Sequence, residues 1–415
     1  MKLFWHDSFR GVDISYLQLI NEIFNSSENK YVVKDHNPYI VFLNILKNLS
    51  CKQTSIILDA DLSEKEIENL GLNEEDLNKT YKPSISPDIK DFDSFIEFLS
   101  ANQYHLYIDI YTSGTTGTPK KISQSLANVI RSVKVNEKNS ADIWAFAYNP
   151  THFAGLQVFF QAIFNQNPLI YCFHGDFKQV AIDIETFHIN RLSCTPTFIK
   201  MLLPFLEREN RLVKSITFGG EKFDKNVEDQ LLNIFPLARV INVYASTEAG
   251  SLLASDGEYF CIPDKYMDFI KINDCNELLI HKSLLGKSDT LTLHKEWYNT
   301  GDRVEYIDEK RFKVMGRSSD IINVGGYKVN PEDVEQLIKS VDGVEDVFVY
   351  GRQNALTGAI VVADVIILPN YTAESVKSEI LHVARLSLQE WKIPRIINFV
   401  NNFKLTRTGK IKKVD

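Results

Sequence analysis

Between positions 111 and 121 the chain reads YTSGTTGTPKK. Thr112, Ser113, Thr115 and Thr116 are interspersed with Gly114 and Gly117, and Lys120 follows a proline. Hydroxyls and backbone N–H groups donate, glycines let the backbone approach closely, and an ammonium neutralises charge. The chemistry is that of an anion cradle. It is not the common phosphate loop, which needs GxxxxGK followed by Ser or Thr. Gly114 and Gly117 stand too close together for that. In the GKS at Gly286–Ser288 the required first glycine falls on His281. Other stretches gather polar residues in the same way. VYASTEAG (Val243–Gly250) holds Tyr244, Ser246, Thr247 and Glu248, and YNTGDRVE (Tyr298–Glu305) puts Asp302 behind a glycine. GRSSDIINVGGYKV (Gly316–Val329) brings Arg317, Ser319 and the pair Gly325–Gly326, and KLTRTGKIKK (Lys404–Lys413) places Lys410 in a basic tail.

The elements that must position these residues follow from periodicity. YHLYIDI (Tyr104–Ile110) alternates as a half-buried strand leading into the hydroxyl-rich loop. From about Tyr104 to Val243, apolar runs such as IWAFAYNP, NPLIYCF, SITFGG and ARVINVYAS alternate with amphipathic segments such as SLANVIRSVKV, LQVFFQAIF and TPTFIKMLLPFL. That alternation predicts an α/β layer of parallel strands. Upstream, ISYLQLINEIF (Ile14–Phe24) has helical spacing, TSIILDADL (Thr54–Leu62) reads as a buried strand, and LSEKEIENL reads as a helix capped by Ser63. Residues 250–315 hold short, turn-punctuated strands, as in a small β-subdomain. A break falls near Met315–Asp320. Beyond it, Pro331 suits a first helical turn, Val334, Leu337, Ile338 and Val341 keep helical spacing, and VEDVFVYG alternates as a strand. Residues 1–317 thus form a large α/β domain with a β-subdomain, and residues 318–415 a small α+β domain.

Bulk properties exclude several classes. A formal net charge of −8 argues against a general nucleic-acid binder. The five cysteines are scattered without CxxC spacing, so neither a disulfide framework nor structural zinc is expected, and a reducing compartment fits. The histidines form no HxxH or HExxH pair. MKLFWHDSFRGVD lacks the apolar run of a signal peptide, and no stretch approaches the ~20 apolar residues of a membrane span. The expectation is a soluble cytoplasmic protein.

Taken together and in this order, the motifs resemble those of the AMP-forming acyl-activating superfamily: acyl- and aryl-CoA synthetases, peptide-synthetase adenylation domains and luciferase-like enzymes. The resemblance runs from about residue 105 to the C-terminus. It implies a large N-terminal domain and a small mobile C-terminal one, with ATP, Mg²⁺ and CoA or phosphopantetheine as cofactors. The activity it implies joins a carboxylate to AMP, releases pyrophosphate and passes the acyl group to a thiol. A carboxylate is a poor electrophile, and adenylation gives it a far better leaving group. The site's work is then largely the placement of negative charge.

Residue by residue, the resemblance implies that Thr112, Ser113, Gly114, Thr115, Thr116, Gly117 and Lys120 wrap the β- and γ-phosphates. Tyr244 would lie against adenine, Thr247 would bond the α-phosphate, and Glu248 would hold Mg²⁺, a hard cation suited to oxygen ligands. Asp302 would accept from the ribose hydroxyls with Arg317 nearby, and Lys410 would bridge the attacking carboxylate and the α-phosphate. TFGGEKF (Thr217–Phe223) is similar to the segment that floors the acyl pocket and borders adenine, which places Phe218 by the substrate and Gly219, Gly220 and Glu221 by the nucleotide. NPTHFAGLQVFF (Asn149–Phe160) is similar to the PxxHxxG segment of acyl- and aryl-CoA synthetases, with His152, Phe153 and Gly155 at the pocket mouth.

No Asp or Glu lies between Ile143 and Tyr171, and an ammonium buried without a counter-charge is costly, which disfavours amino-acid substrates. An aryl or fatty acid is expected instead. Gly325 and Gly326 would leave room for a pantetheine arm, and the acceptor is CoA or a separate carrier protein. Nucleic acid and membrane are not expected partners. Four features depart from the family pattern. Ser319 stands at the hinge position, Ala245 replaces a glycine of the acyl channel, Lys404 stands where a proline is usual before the catalytic lysine, and the region before the phosphate loop is short. Two alternatives stand beside thioester formation: an amine or hydroxyl acceptor, and a nucleotide-binding member without turnover.

Overall fold

The structure is a computed structural model. It describes residues 2–112, 120–206, 208–221, 223, 225–354, 357–404 and 411, with only the backbone of Thr112. The chain divides into two compact units. Met1–Thr300 and Val304–Val314 belong to one, and Gly301–Arg303 and the described chain from Met315 to Lys404 belong to the other.

The larger unit is built on an eight-stranded sheet. Its six central strands, Arg239–Ser246, Ser215–Gly219, Arg191–Cys194, Trp144–Phe146, Leu169–Tyr171 and Leu3–Asp7, run parallel in that spatial order. Antiparallel strands Gly250–Ser255 and Val12–Ser15 close its two edges. Side chains alternate across it with period two. Phe146, Tyr148 and Leu169 enter one core, and Ala145, Ala147 and Ile170 enter the other. The first core is aromatic. Phe42 stacks on Phe159 at 4.0 Å, and Trp5 packs edge-on to Phe42 at 5.8 Å. Each such ring removed from water stabilises the unit by roughly 1.5–3 kcal/mol. Helices Pro38–Ser50, Phe92–Asn102 and Phe153–Asn165 supply much of this core. Helices Phe177–Thr186, Pro196–Leu202 and Lys225–Ile234 cover the other face.

Beneath the aromatic core lies a second sheet, in the order Val32–Val33, Ser55–Ile57, Tyr107–Thr112, Lys120–Ser125. Its first three strands are parallel. The fourth is antiparallel to the third, pairing Thr112 with Lys120, so residues 113–119 connect the two strands of a hairpin. This corrects the expectation of parallel strands throughout. It also shortens the amphipathic segment from Ser125, which is helical only at Leu126–Val129.

Local signals work as expected at several ends. Ser63 caps Glu64–Asn69 with a full capping box, and Ser15 does the same for Tyr16–Phe24. The N-terminal hairpin Leu3–Ser15, with Trp5 fully buried, was not expected from a stretch read only for its lack of a leader. Strands Tyr259–Cys261, Arg311–Arg317, Trp297–Tyr306, Glu277–His281 and Ile270–Ile272 form the β-subdomain sheet.

In the smaller unit, Val344–Asn354 and Gly358–Ile367 form a long antiparallel pair. Helices Pro331–Lys339 and Ala373–Ser387 contribute Val334, Ile338, Val376 and Ile380 to its core. Pro331 opens the first helix at its N-terminal turn.

Candidate active site

Parallel strands of an open sheet present ligand-binding loops at their C-terminal ends. At that edge of the large sheet stand Tyr148–His152 after one strand, Thr195 after a second, Gly219–Glu221 after a third and Ser246–Glu248 after a fourth. The same edge of the second sheet carries Asp59 beyond Ser55–Ile57, and strand Tyr107–Thr112 ends there.

The turn after Ser246 is the best defined part. Ser246 Oγ accepts from Ala249 N at 3.1 Å, and Gly250, at φ +71°, turns the chain into its antiparallel neighbour. Thr247 and Glu248 are half-buried. Among the described residues the Glu248 carboxylate makes no hydrogen bond or ion pair, while its backbone carbonyl accepts from Gly286 N at 2.8 Å. A half-buried carboxylate with both oxygens available fits a hard divalent cation. Tyr244 is 8% exposed and packs edge-on to Phe260 at 6.0 Å, so most of its ring serves the core beside the β-subdomain. Ala245 sits at a bulge between the two strands and is half-buried.

His152 is the N-cap residue of Phe153–Asn165 but makes no capping bond with its side chain. Its Nε2 lies 3.6 Å from Asp59 Oδ2, and Asn149 Nδ2 donates to the same oxygen at 2.8 Å. Asp59 Oδ1 accepts from Asp61 N at 3.1 Å. Asp59 comes from 93 positions upstream of His152, and no scan along the 143–171 window could reveal it. Its place just beyond a parallel strand was the available signal. Phe153 is buried and lies against Gly250, where an added Cβ would meet its ring at 3.1 Å. Gly155 is required by contact: a Cβ there would sit 2.4 Å from the Asn149 carbonyl oxygen.

Gly219 ends its strand close to Tyr148, whose hydroxyl lies 3.6 Å from where a Gly219 Cβ would stand. Burial pushes the Tyr148 phenol far above its usual range, so it remains a neutral hydrogen-bonding group. Tyr148 was missed in the sequence, where it reads as one more apolar residue of a strand. Glu221 Oε2 accepts from Thr197 N at 3.0 Å, at the start of helix Pro196–Leu202. Gly220 takes φ +82°. Phe218 needs correcting as a substrate contact: it is fully buried and packs on Phe223 in the core on the far face from Tyr148, as period-two alternation requires.

In the smaller unit, Arg317 Nε donates to Asp302 Oδ1 at 3.1 Å. Asp302 is 7% exposed and the Arg317 side chain is about half exposed. Ser319 is exposed in the short turn Ser318–Asp320. Gly325 and Gly326, at φ +59° and +92°, turn Ile322–Val324 into Tyr327–Val329, and added Cβ atoms would meet nothing within 4 Å. Lys120 begins its strand half-buried. Ser113, Gly114, Thr115, Thr116, Gly117 and Lys410 lie outside the described residues, as does the side chain of Thr112. Among the described residues no helix is long and apolar enough to cross a membrane.

The AMP-binding enzyme model matches residues 17–267, and the model of the AMP-binding enzyme C-terminal domain matches residues 333–410. A 2-succinylbenzoate–CoA ligase from Listeria innocua is 26% identical over 333 residues, covering 73% of this chain and 68% of its own. The corresponding Staphylococcus aureus ligase is 24% identical over 427 residues, covering 96% of this chain and 84% of its own. Among solved structures, o-succinylbenzoate CoA synthetase from Bacillus subtilis in complex with its acyl-adenylate intermediate aligns with TM-score 0.69 at 16% identity, over 99% of this chain and 94% of that one. ATP-bound MatB from Rhodopseudomonas palustris aligns with TM-score 0.73 at 16% identity, again over 99% and 94%.

Proposed function

The chain belongs to the AMP-binding enzyme family, and we propose that it activates a carboxylic acid with ATP, releases pyrophosphate and transfers the acyl group to CoA. The observation that carries this is the turn at Thr247–Glu248. It holds a carboxylate that has no partner among the described residues, at the C-terminal edge of the parallel sheet, and is hydrogen-bonded to the strand Lys120–Ser125. That the similar Listeria and Staphylococcus proteins are named acid–CoA ligases supports the reaction class and the acceptor.

In the first half-reaction, the acid's carboxylate attacks the α-phosphorus of ATP and pyrophosphate departs. A Mg²⁺ held by Glu248 would neutralise charge on the phosphate oxygens. Thr247 donates to the α-phosphate, and Lys120 with the hydroxyls of Thr112, Ser113, Thr115 and Thr116 receives the departing pyrophosphate. Lys410 neutralises the incoming carboxylate as it meets the α-phosphate. Such preorganised charge is worth more in a site that excludes water. Tyr148, Gly219 and Ala245 border the acyl pocket, with His152 at its mouth. Asp302, ordered by Arg317, takes the ribose hydroxyls. In the second half-reaction a thiol adds to the acyl carbonyl and AMP leaves. In that step the turn at Gly325–Gly326 would leave room for the pantetheine arm.

ATP–pyrophosphate exchange over a panel of aryl, fatty and dicarboxylic acids tests the reading. Acid-dependent exchange followed by thioester formation with CoA is the expected result. Exchange that proceeds only onward to a holo carrier protein would move the acceptor, and no exchange with any acid would overturn the proposal.

A further inference from the structure

The side chains of Thr247 and Glu248 make no hydrogen bonds among the described residues, so their positions are set by the backbone of the turn. Three successive carbonyls of that turn are held by side chains from one short stretch, residues 124–131. Gln124 is fully buried, and its Nε2 donates to Thr247 O at 2.5 Å and to Glu248 O at 3.0 Å. Its Oε1 accepts from Asn128 Nδ2 at 3.1 Å. Asn128 Oδ1 accepts from Arg131 Nη2 at 2.6 Å, and Arg131 Nη1 donates to Ala249 O at 2.9 Å. The spacing from 124 to 128 to 131 is that of one strand end and the helical turn after it, so a single local fold presents all three groups.

A second strap joins the same pieces. Arg131 Nη2 donates to Leu284 O at 3.0 Å, and Gly286 N donates to Glu248 O at 2.8 Å. Lys287 exchanges two backbone hydrogen bonds with Ser123, at 2.8 and 2.9 Å. Gly286 must be glycine for this crossing, since a Cβ would lie 2.7 Å from Gln124 Nε2 and 2.8 Å from Ile122 Cγ2. The GKS stretch that fails as a phosphate loop therefore has a use in the fold: it lets the strap pass against Gln124.

We propose that Gln124, Asn128 and Arg131 are positioning residues that lock the Thr247–Glu248 turn to the strand leaving the phosphate loop, so that the metal carboxylate and the phosphate cradle keep one fixed spacing. The proposal rests on the assignment of Glu248 as the Mg²⁺ ligand. Gln124 suits the task because a primary amide has two donor hydrogens for two carbonyls and an acceptor for the next link. Partners one shell out from a metal ligand set its orientation, and losing one costs roughly ten- to a hundredfold in metal affinity.

The test is calorimetric titration of the full chain with ATP, once with Mg²⁺ and once with EDTA, beside a thermal melt. It needs no knowledge of the acid. Gln124→Met keeps the length of the side chain and removes its hydrogen bonds. Asn128→Asp keeps the acceptor for Arg131 but loses the donor to Gln124. For each folded variant, affinity for ATP with Mg²⁺ is expected to fall about tenfold, and affinity in EDTA to stay within about twofold. Should Gln124→Met fail to fold, Asn128→Asp decides alone. Equal loss with and without Mg²⁺ would mean general loosening and would overturn the proposal, as would unchanged Mg²⁺-dependent binding in a folded variant. Glu248→Gln separates the premise. If it leaves the effect of Mg²⁺ on ATP binding intact, the metal assignment fails. If it abolishes that effect while the Gln124 and Asn128 variants do not weaken it, the lock alone fails.

Discussion

Gly155→Ala is a one-carbon change whose cost can be worked from contacts. The new Cβ would stand 2.4 Å from Asn149 O and 3.3 Å from Phe146 Cζ. Ordinary contact begins near 3.4 Å, so the start of helix Phe153–Asn165 must withdraw by about 1 Å. The oxygen itself has little freedom. It accepts from His152 N at 3.2 Å, while the Asn149 side chain is tied to Asp59 and to Thr151. Overpacking of this kind costs about 1–3 kcal/mol, which lowers the melting midpoint of a unit this large by roughly 2–6 °C. The same withdrawal carries His152 and Phe153 with it, and a 1 Å misplacement can cost on the order of a hundredfold in rate. The expected outcome in pyrophosphate exchange is a raised KM for the acid, or a fall in kcat, while ATP affinity measured without acid stays close to that of the parent. A variant that melts like the parent and keeps its acid KM would show that this crossing does not hold the pocket mouth, and the place given to His152 would fall with it.

Three further outcomes are expected. Lys410→Ala should abolish adenylate formation yet leave thioester formation from preformed adenylate nearly intact; equal loss in both half-reactions, measured separately, would contradict its role. Asp302→Asn keeps a partner for Arg317 but removes the carboxylate, and it should raise the KM for ATP by about tenfold, the loss of one charge-assisted hydrogen bond, with the acid KM unchanged; a selective effect on the acid would refute the ribose assignment. Asp59→Asn should retain the Asn149 contact with an amide and release His152 from its carboxylate, raising the KM for the acid while ATP affinity measured without acid stays unchanged; an unchanged acid KM would leave Asp59 with a packing role only.

The candidate site residues stand out in the sequence because they sit where chain direction changes. Ser246, Gly219 and Thr112 end strands, and strand ends carry the Gly, Ser and Thr that alternation alone brings into view. Pro331 and Ser63 were legible for the same local reason, since each satisfies or spares an N–H at a helix start. What escaped was set by tertiary pairing. Leu3–Asp7 is a strand because it pairs in parallel with Leu169–Tyr171, which lies far away in sequence. Lys120–Ser125 pairs back on Tyr107–Thr112, and nothing in its composition distinguishes a hairpin from a crossover to a parallel strand. Gln124 looks like an ordinary polar strand residue until the carbonyls of Thr247 and Glu248 are seen opposite its amide.

Around His152, distance along the chain and distance in space differ. No Asp or Glu lies between Ile143 and Tyr171, and the fold brings Asp59 to that region. Yet both oxygens of Asp59 already have partners. Oδ1 accepts from Asp61 N, and Oδ2 accepts from Asn149 and faces His152. A substrate ammonium would have to displace these contacts and give up its own hydration, and a carboxylate so engaged offers less than one held ready for it. The balance therefore still favours a substrate without an ammonium group, for a different reason from the one the sequence suggested. The nearby carboxylate is occupied in orienting His152, the residue proposed for the mouth of the acyl pocket.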